Sequence, residues 1–202
     1  MPLLRTYDSA QGKITVSLRS GYLDRLSRWS DIQEYLPFLH EQARSRPGCR
    51  VLELGARRGN STLAFLAGCA ESGGHVTSCD IDDVRRFPDG IGPFGASPRW
   101  TFTRGDDMDQ TVQSLLPAQV DVLFLDTSHE YEHTLAELRV YVPRVVPGGV
   151  ALFHDTNVMG WPGYRWDRDI SPVHAALDEY CAEAGSAWEN LPGIYGLGVI
   201  RP

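Results

Sequence analysis

Two acids and two imidazoles stand at the ends of two apolar runs. VDVLFL leads into Asp126, with His129 three residues on, and GGVALF leads into His154 and Asp155. Apolar runs of this length, bounded by turn residues, read as buried strands. If the two strands are parallel neighbours, about 4.8 Å apart, carboxylates at their tips can converge on one cation. Two oxygen donors at an open crevice suit Mg²⁺, which keeps several waters or substrate oxygens. A bound cation favours the deprotonated form of a coordinated hydroxyl, and His129 can accept a proton near neutral pH. Neighbouring strand residues face opposite ways, so His154 joins Asp155 on a metal only if the chain has already left the strand. With His154 as a ligand, Mn²⁺ or Fe²⁺ fits better than Mg²⁺. Otherwise Thr156 or Asn157 supplies the third oxygen.

Structural roles account for other residues nearby. Thr127 and Glu130 match a T-x-x-E capping box opening the helix that follows, and this leaves Asp126 and His129 unexplained. His133 and His174 read as surface or satisfied helix residues. The segment after Asp155 carries Trp161, Tyr164 and Trp166, which either wall an acceptor pocket or anchor the loop. GIGPFG, residues 90–95, is a second candidate wall.

A second constellation begins at ELGARRGNST. Gly55 allows a sharp exit from a strand and Gly59 a close backbone approach to a ligand. Asn60 or Ser61 is placed to cap the next helix. The spacing is GxxxG, so the glycine that brings backbone against a pyrophosphate is missing and a dinucleotide site is disfavoured. Glu53 precedes the turn, where a carboxylate attracts an amine and repels phosphate. Asp80 ends the next strand, where an acid commonly holds ribose hydroxyls. Asp106 and Asp107 end the one after, within reach of an adenine edge. This set suits a ligand with an amine and a nucleoside but no phosphate.

These residues need a scaffold that brings strand tips together, and the chain supplies one. From residue 50 onward apolar strands alternate with amphipathic helices: CRVLELG, HVTSCD, RWTFTRG, VDVLFLD, GGVALFHD, SAWENL and YGLGVIR are the strands. In the long helix, Tyr131, Leu135, Leu138 and Val142 make one apolar stripe. Strict alternation predicts an α/β fold, a doubly wound, mostly parallel seven-stranded sheet with helices on both faces. The tight connection at Pro192-Gly193 makes the last strand antiparallel. Residues 1–48 hold one clear helix, Asp31 to Ser45, and read as an N-terminal helical cover on a 49–202 domain. Segments 85–99 and 157–169 resist assignment, as binding loops often do.

Bulk properties bound the function. The 202 residues carry a formal charge of −7, which argues against a nucleic-acid partner. Cys49, Cys69, Cys79 and Cys181 form no CxxC pair and read as buried thiols of a reducing compartment. With no signal-like segment and no run of membrane-spanning length, the expected location is cytoplasmic, away from membranes.

Over roughly residues 48–156 the sequence resembles class I S-adenosylmethionine-dependent methyltransferases, with a Rossmann-like sheet. ELGARRGNST looks like their first motif, SCDID the second and TRGDD the third. The resemblance implies that Glu53 lies near the methionine amine and that Gly55, Gly59, Asn60 and Ser61 line the methionine and ribose. It places Asp80 on the ribose hydroxyls and Asp106 with Asp107 beside the adenine. FLDTSHEY and VPGGVALFHDT are similar to the metal-dependent branch that includes cephalosporin-hydroxylase-like and macrolide-sugar O-methyltransferases. There two consecutive acids usually end the fifth strand, where this chain has His154-Asp155. The expectation is a cation-assisted O-methyltransferase for a hydroxylated small molecule, with Asp126, His154 and Asp155 on the metal, His129 and Asp126 catalytic, and a homodimer as an option. The alternatives are a metal-independent N- or O-methyltransferase and a non-catalytic nucleoside-binding protein.

Overall fold

The computed structural model describes residues 6–8, 13–15, 17–87, 90–159 and 166–202. Strands β1 (Thr6–Asp8) and β2 (Lys13–Thr15) pair as a short antiparallel ribbon. Helices α1 (Leu18–Leu26) and α2 (Leu36–Arg44) follow, α2 led in by a single 3₁₀ turn at Gln33–Tyr35. The alternating part runs β3 (Arg50–Leu54), α3 (Asn60–Ser72), β4 (His75–Asp80), β5 (Trp100–Arg104), α4 (Gln110–Leu115), β6 (Val120–Leu125), α5 (Tyr131–Tyr141), β7 (Val145–His154) and α6 (Pro172–Ala184). It closes with β8 (Trp188–Leu191) and β9 (Leu197–Ile200).

The expected seven-stranded sheet is present, in the order β5-β4-β3-β6-β7-β9-β8. Strands β3 to β7 are parallel to their neighbours, and β9 runs antiparallel to both β7 and β8. The chain winds outward from β3 to β5, then returns to start β6 beside β3. That reversal opens a crevice at the carboxyl ends of β3 and β6, where ligands of such sheets bind.

Alternation along the strands fills two cores. Val51, Val76, Val122, Phe124 and Leu152 face a cluster with α1, α2 and α3. Leu52, Leu54, Leu123, Leu125 and Phe153 face a cluster with α5 and α6. Every residue of β6 is buried, as a central parallel strand covered on both faces must be. The predicted stripe Tyr131, Leu135, Leu138 and Val142 is buried throughout, and all four cysteines are buried free thiols.

Two features of the N-terminal region differ from the sequence reading. The expected helix 31–45 begins as a 3₁₀ turn, and α1 is an additional helix whose apolar residues make no continuous stripe. Ser17 caps it, Tyr22 joins the core, and the Phe94 ring lies over Gly21, where a Cβ would come within 2.4 Å of the ring. This also settles GIGPFG. Ile91 and Phe94 are core residues at 0% and 9% exposure, not a pocket wall. Among the described residues no helix is long and apolar enough to cross a membrane.

Candidate functional site

The parallel register of β6 and β7 puts Leu125 opposite Phe153, so Asp126 and His154 are level at the sheet's carboxyl edge. The chain leaves the strand at His154, and Asp155 adopts a left-handed backbone with φ of 63°. That turn removes the strand alternation and lets both side chains face one point. His129 also has a left-handed backbone, φ 57°, and folds back toward Asp126. Among the described residues the only other non-glycine with positive φ is Arg57, on the rim of the same crevice. Such backbones strain L-residues by about 1–2 kcal/mol each, and strain of this kind gathers where function holds it.

Four ligand atoms, one each from Asp126, His129, His154 and Asp155, lie within 4.8 Å of one another. His129 Nε2 is 2.9 Å from Asp126 Oδ1 and 3.3 Å from Asp155 Oδ2. His154 Nδ1 is 3.4 Å from Asp126 Oδ1 and 3.3 Å from Asp155 Oδ1. The His154 separations exceed the usual 2.7–3.2 Å of an N–H···O bond, and His154 Nδ1, His154 Nε2 and Asp155 Oδ1 are buried without a hydrogen bond. Donors that converge on a common point rather than on one another fit a cation. Burial alone would raise the Asp126 carboxyl, but the His129 hydrogen bond and the adjacent His154 imidazole hold it far below the carboxylate range. Burial alone would lower His154, and the two carboxylates outweigh it, moving it up to about 10.

The alternative third ligands point elsewhere. Thr156 Oγ1 donates to Asn190 Oδ1 at 2.7 Å, and Asn157 bonds Gly193 O and Asn190. The capping box does not form, because the left-handed residue at 129 delays the helix until Tyr131, with Glu130 as an N-cap lacking a side-chain bond. Thr127 Oγ1 donates instead to Glu137 Oε2 at 2.9 Å. His129 is 12% exposed and lines a small pocket with Thr127, Glu137 and His154.

Two clefts meet at Asp126 and Arg57. One, of about 350 Å³, follows the strand tips past Gly55, Asp80, Asp106, Asp107 and Ser128. The other, of about 220 Å³, lies between the start of α3, at Asn60 and Ser61, and the segment Trp29–Ile32. Gly55 is required here: with φ of 84°, a Cβ would sit 2.0 Å from Asp126 O, so only glycine lets the β3 tip meet the β6 tip. Asp80 clamps the turn, its Oδ2 accepting from the N–H groups of Ala56 and Arg57 and its Oδ1 from Asp82. Asp106 is exposed and Asp107 buried, both on the larger cleft.

Two expected binders, Glu53 and Gly59, are placed differently. Glu53 is 0% exposed and accepts from Ser61 Oγ (2.6 Å), Thr62 Oγ1 (2.7 Å) and Ser78 Oγ (2.5 Å), so it ties α3 to the sheet and does not reach a cleft. Burial pushes its carboxyl up to about 7 against those three bonds. Gly59 is the N-cap of α3 and what approaches it is Ile91, 2.6 Å from a would-be Cβ. Neither Asn60 nor Ser61 caps α3 through its side chain. Trp161 and Tyr164 lie outside the described residues, while Trp166 packs on Tyr131 with ring centroids 5.4 Å apart, as an anchor does. His174 stacks edge-on to Trp188 and is a satisfied helix residue.

The sequence reading missed Asp31, which lines the smaller cleft and pairs with Arg57 at 3.0 Å. His133, expected as a surface or satisfied helix residue, is satisfied by Asp107 and Glu137 and in addition lines the larger cleft. The spacing of His133 and Glu137, one turn apart on α5, was the available signal.

Comparison with known proteins adds a family. The model described as "Methyltransferase domain" matches residues 52–156. The Sinorhizobium fredii protein y4gI is 23% identical over 165 residues, 75% of this chain, and the chain spans only 17% of that protein's length. The SAH-bound O-methyltransferase of Bacillus cereus superposes with a TM-score of 0.66 at 17% identity, over 99% of this chain and 94% of that one. The SAH-bound methyltransferase PaMTH1 of Podospora anserina gives 0.64 at 18% identity, over 91% and 86%. MycE of the mycinamycin biosynthetic pathway, solved with Mg, SAH and mycinamycin VI, gives 0.64 at 18% identity, over 91% and 52%.

Proposed function

Because the chain belongs to the methyltransferase-domain family and has the fold of class I S-adenosylmethionine-dependent methyltransferases, we propose that it methylates a hydroxyl of a small molecule with the help of a divalent cation. The observation that carries this reading is the cluster of Asp126, His154 and Asp155, with buried polar atoms that lack hydrogen bonds, whose Asp126 lines both clefts. The larger cleft takes the nucleoside, with Asp80 toward the ribose, and the smaller takes the amino-acid end. There Asp31 offers the amine a carboxylate that Glu53, being buried, cannot, and Arg57 faces the carboxylate.

Asp126, His154 and Asp155 would hold the cation, and the imidazole in the set favours Mn²⁺ or Fe²⁺ over Mg²⁺. When bound, the cation would lower the pKa of an acceptor hydroxyl and fix its oxygen in line with the sulfonium methyl. His129 takes the hydroxyl proton. With Nε2–H donated to Asp126, its proton-accepting atom is Nδ1, and Asp126 holds the ring in that tautomer. The acceptor oxygen's electron pair forms the new C–O bond while the C–S pair leaves with sulfur. A second reading makes His129 a fourth ligand, favoured by its 3.3 Å approach to Asp155 and its absence from the lining of both clefts.

The test is methyl transfer from labelled S-adenosylmethionine to a library of hydroxylated acceptors, before and after chelation. Activity should vanish with chelator and return with Mn²⁺ or Fe²⁺ more fully than with Mg²⁺. Full activity in a metal-free sample would leave a metal-independent transferase. Retained manganese binding in His129→Ala, with turnover lost, separates proton acceptor from ligand.

A further inference from the structure

Between the β5 tip and α5, three ionisable side chains converge that the mechanism above leaves unused. Asp107 follows β5, and His133 and Glu137 stand one turn apart on α5. One ligand atom from each lies within 4.8 Å of the others. His133 Nε2 is 3.5 Å from Asp107 Oδ1 and 3.3 Å from Glu137 Oε1. His133 and Asp107 line the larger cleft, while Glu137 is 0% exposed and Asp107 8%.

These contacts balance the charge of His133 but leave the acids incomplete. Glu137 Oε2 accepts from Thr127 Oγ1 at 2.9 Å, which fixes the carboxylate, yet Oε1 is buried without a hydrogen bond. Asp107 Oδ2 is likewise buried without one. A buried acceptor left unsatisfied costs free energy, so both acids have capacity to spare for a ligand. The separations from His133 are also informative. They exceed the usual span of an N–H···O bond, about 2.7–3.2 Å. They match the edge of a tetrahedron, because ligand atoms about 2.1 Å from a zinc ion stand about 3.4 Å from one another. Octahedral coordination at that radius would draw them in to about 3.0 Å. Two carboxylates and a neutral imidazole leave two negative charges, which a divalent ion cancels.

We infer that Asp107, His133 and Glu137 form a zinc site, in which the ion joins the β5 tip to α5 and water from the cleft completes the tetrahedron. It shares no residue with the Asp126 cluster and holds whether or not that cluster binds a cation. The spacing of His133 and Glu137 puts two ligands on one helix face, and Asp107 closes the set from a neighbouring strand tip. Thr127 is the positioning residue: it touches Glu137 Oε2 and turns Oε1 toward the other ligands.

Zinc chloride titrated into the metal-stripped full chain tests this, read by calorimetry and by metal counting after gel filtration. His133→Ala should retain one zinc per chain fewer than the parent. Glu137→Gln keeps an acceptor for Thr127 but loses the charge, and should bind that zinc at least about tenfold weaker. Zinc should raise the thermal midpoint of the parent more than that of either variant. Asp155→Asn, which disables the other cluster, should keep the zinc that depends on His133. An unchanged zinc count and affinity in His133→Ala overturns the inference. So do zinc-soaked crystals of the parent with no anomalous peak among the three side chains, a result that stands even if no variant folds. A single zinc that depends on Asp155 and not on His133 sinks this site and leaves the Asp126 reading intact; the opposite dependence supports this site and removes that reading.

Discussion

Asp121 and Asp126 lie on the same strand segment, five residues apart, and are equally buried at 8% exposure, yet they do opposite things. Asp121, at the start of β6, is fully paired. Arg46 Nη1 donates to its Oδ1 at 2.9 Å, and Arg50 donates to its Oδ2 from backbone N at 2.9 Å and from Nε at 3.1 Å. These bonds outweigh burial and lower its carboxyl. Arg46 Nη2 also donates to Gly148 O, so the acid ties the chain before β3 to the start of β7 through Arg46. Asp126, at the other end, meets no arginine among the described residues; it faces two histidines, and both nitrogens of His154 lack a hydrogen bond. A buried acid saturated by guanidinium holds structure, and one surrounded by exchangeable donors is free to hold an ion.

The largest effect should come from the Asp126 end. His129→Ala should lower kcat by about 10²–10⁴-fold in steady-state assays. His129→Gly should lose as much activity while its thermal midpoint stays level or rises, since the left-handed backbone is relieved by about 1 kcal/mol. A large drop in stability for both variants would make His129 structural and erase the contrast with Asp121.

Glu53 stands between the two cases, buried and bonded only by neutral hydroxyls. Its folded pKa of about 7 lies above the ordinary 4.5, so the folded state binds the proton more tightly than the unfolded one. Its contribution is complete below about pH 4.5 and is lost as pH rises through about 7, by about 3 kcal/mol. Denaturant titrations across that window should show a steeper decline for the parent than for Glu53→Gln.

Asp121→Ala should destabilise by about 2 kcal/mol, less than a fully buried pair because both arginines are partly exposed. Its kcat per folded molecule should stay within about twofold; a collapse in kcat at intact fold would break the division of labour drawn above. The smallest effect belongs to the exposed Asp24–Arg28 pair at the C-terminal end of α1. Asp24→Ala should shift stability by no more than about 0.5 kcal/mol.

Much of this arrangement was legible in the chain. The seven strands, the α5 stripe and the tips carrying Asp80, Asp106, Asp126 and Asp155 follow from periodicity and turn residues, which are local. The errors fell where a distant segment decides. Glu53 looked like a cleft residue until Ser61, Thr62 and Ser78 proved to surround it. Gly59 meets Ile91, and Gly21 of α1 packs under the Phe94 ring. The capping box failed because of one residue's backbone, at His129.

By itself, the order of apolar and polar residues determined that strands would alternate with helices and end in acids, because side-chain period and turn chemistry are properties of neighbouring residues. Tertiary structure decided which of those acids are satisfied and which are not. Whether a carboxylate meets an arginine, three hydroxyls or two imidazoles depends on strand order, register and two left-handed residues. Those are settled only when separate segments pack against each other.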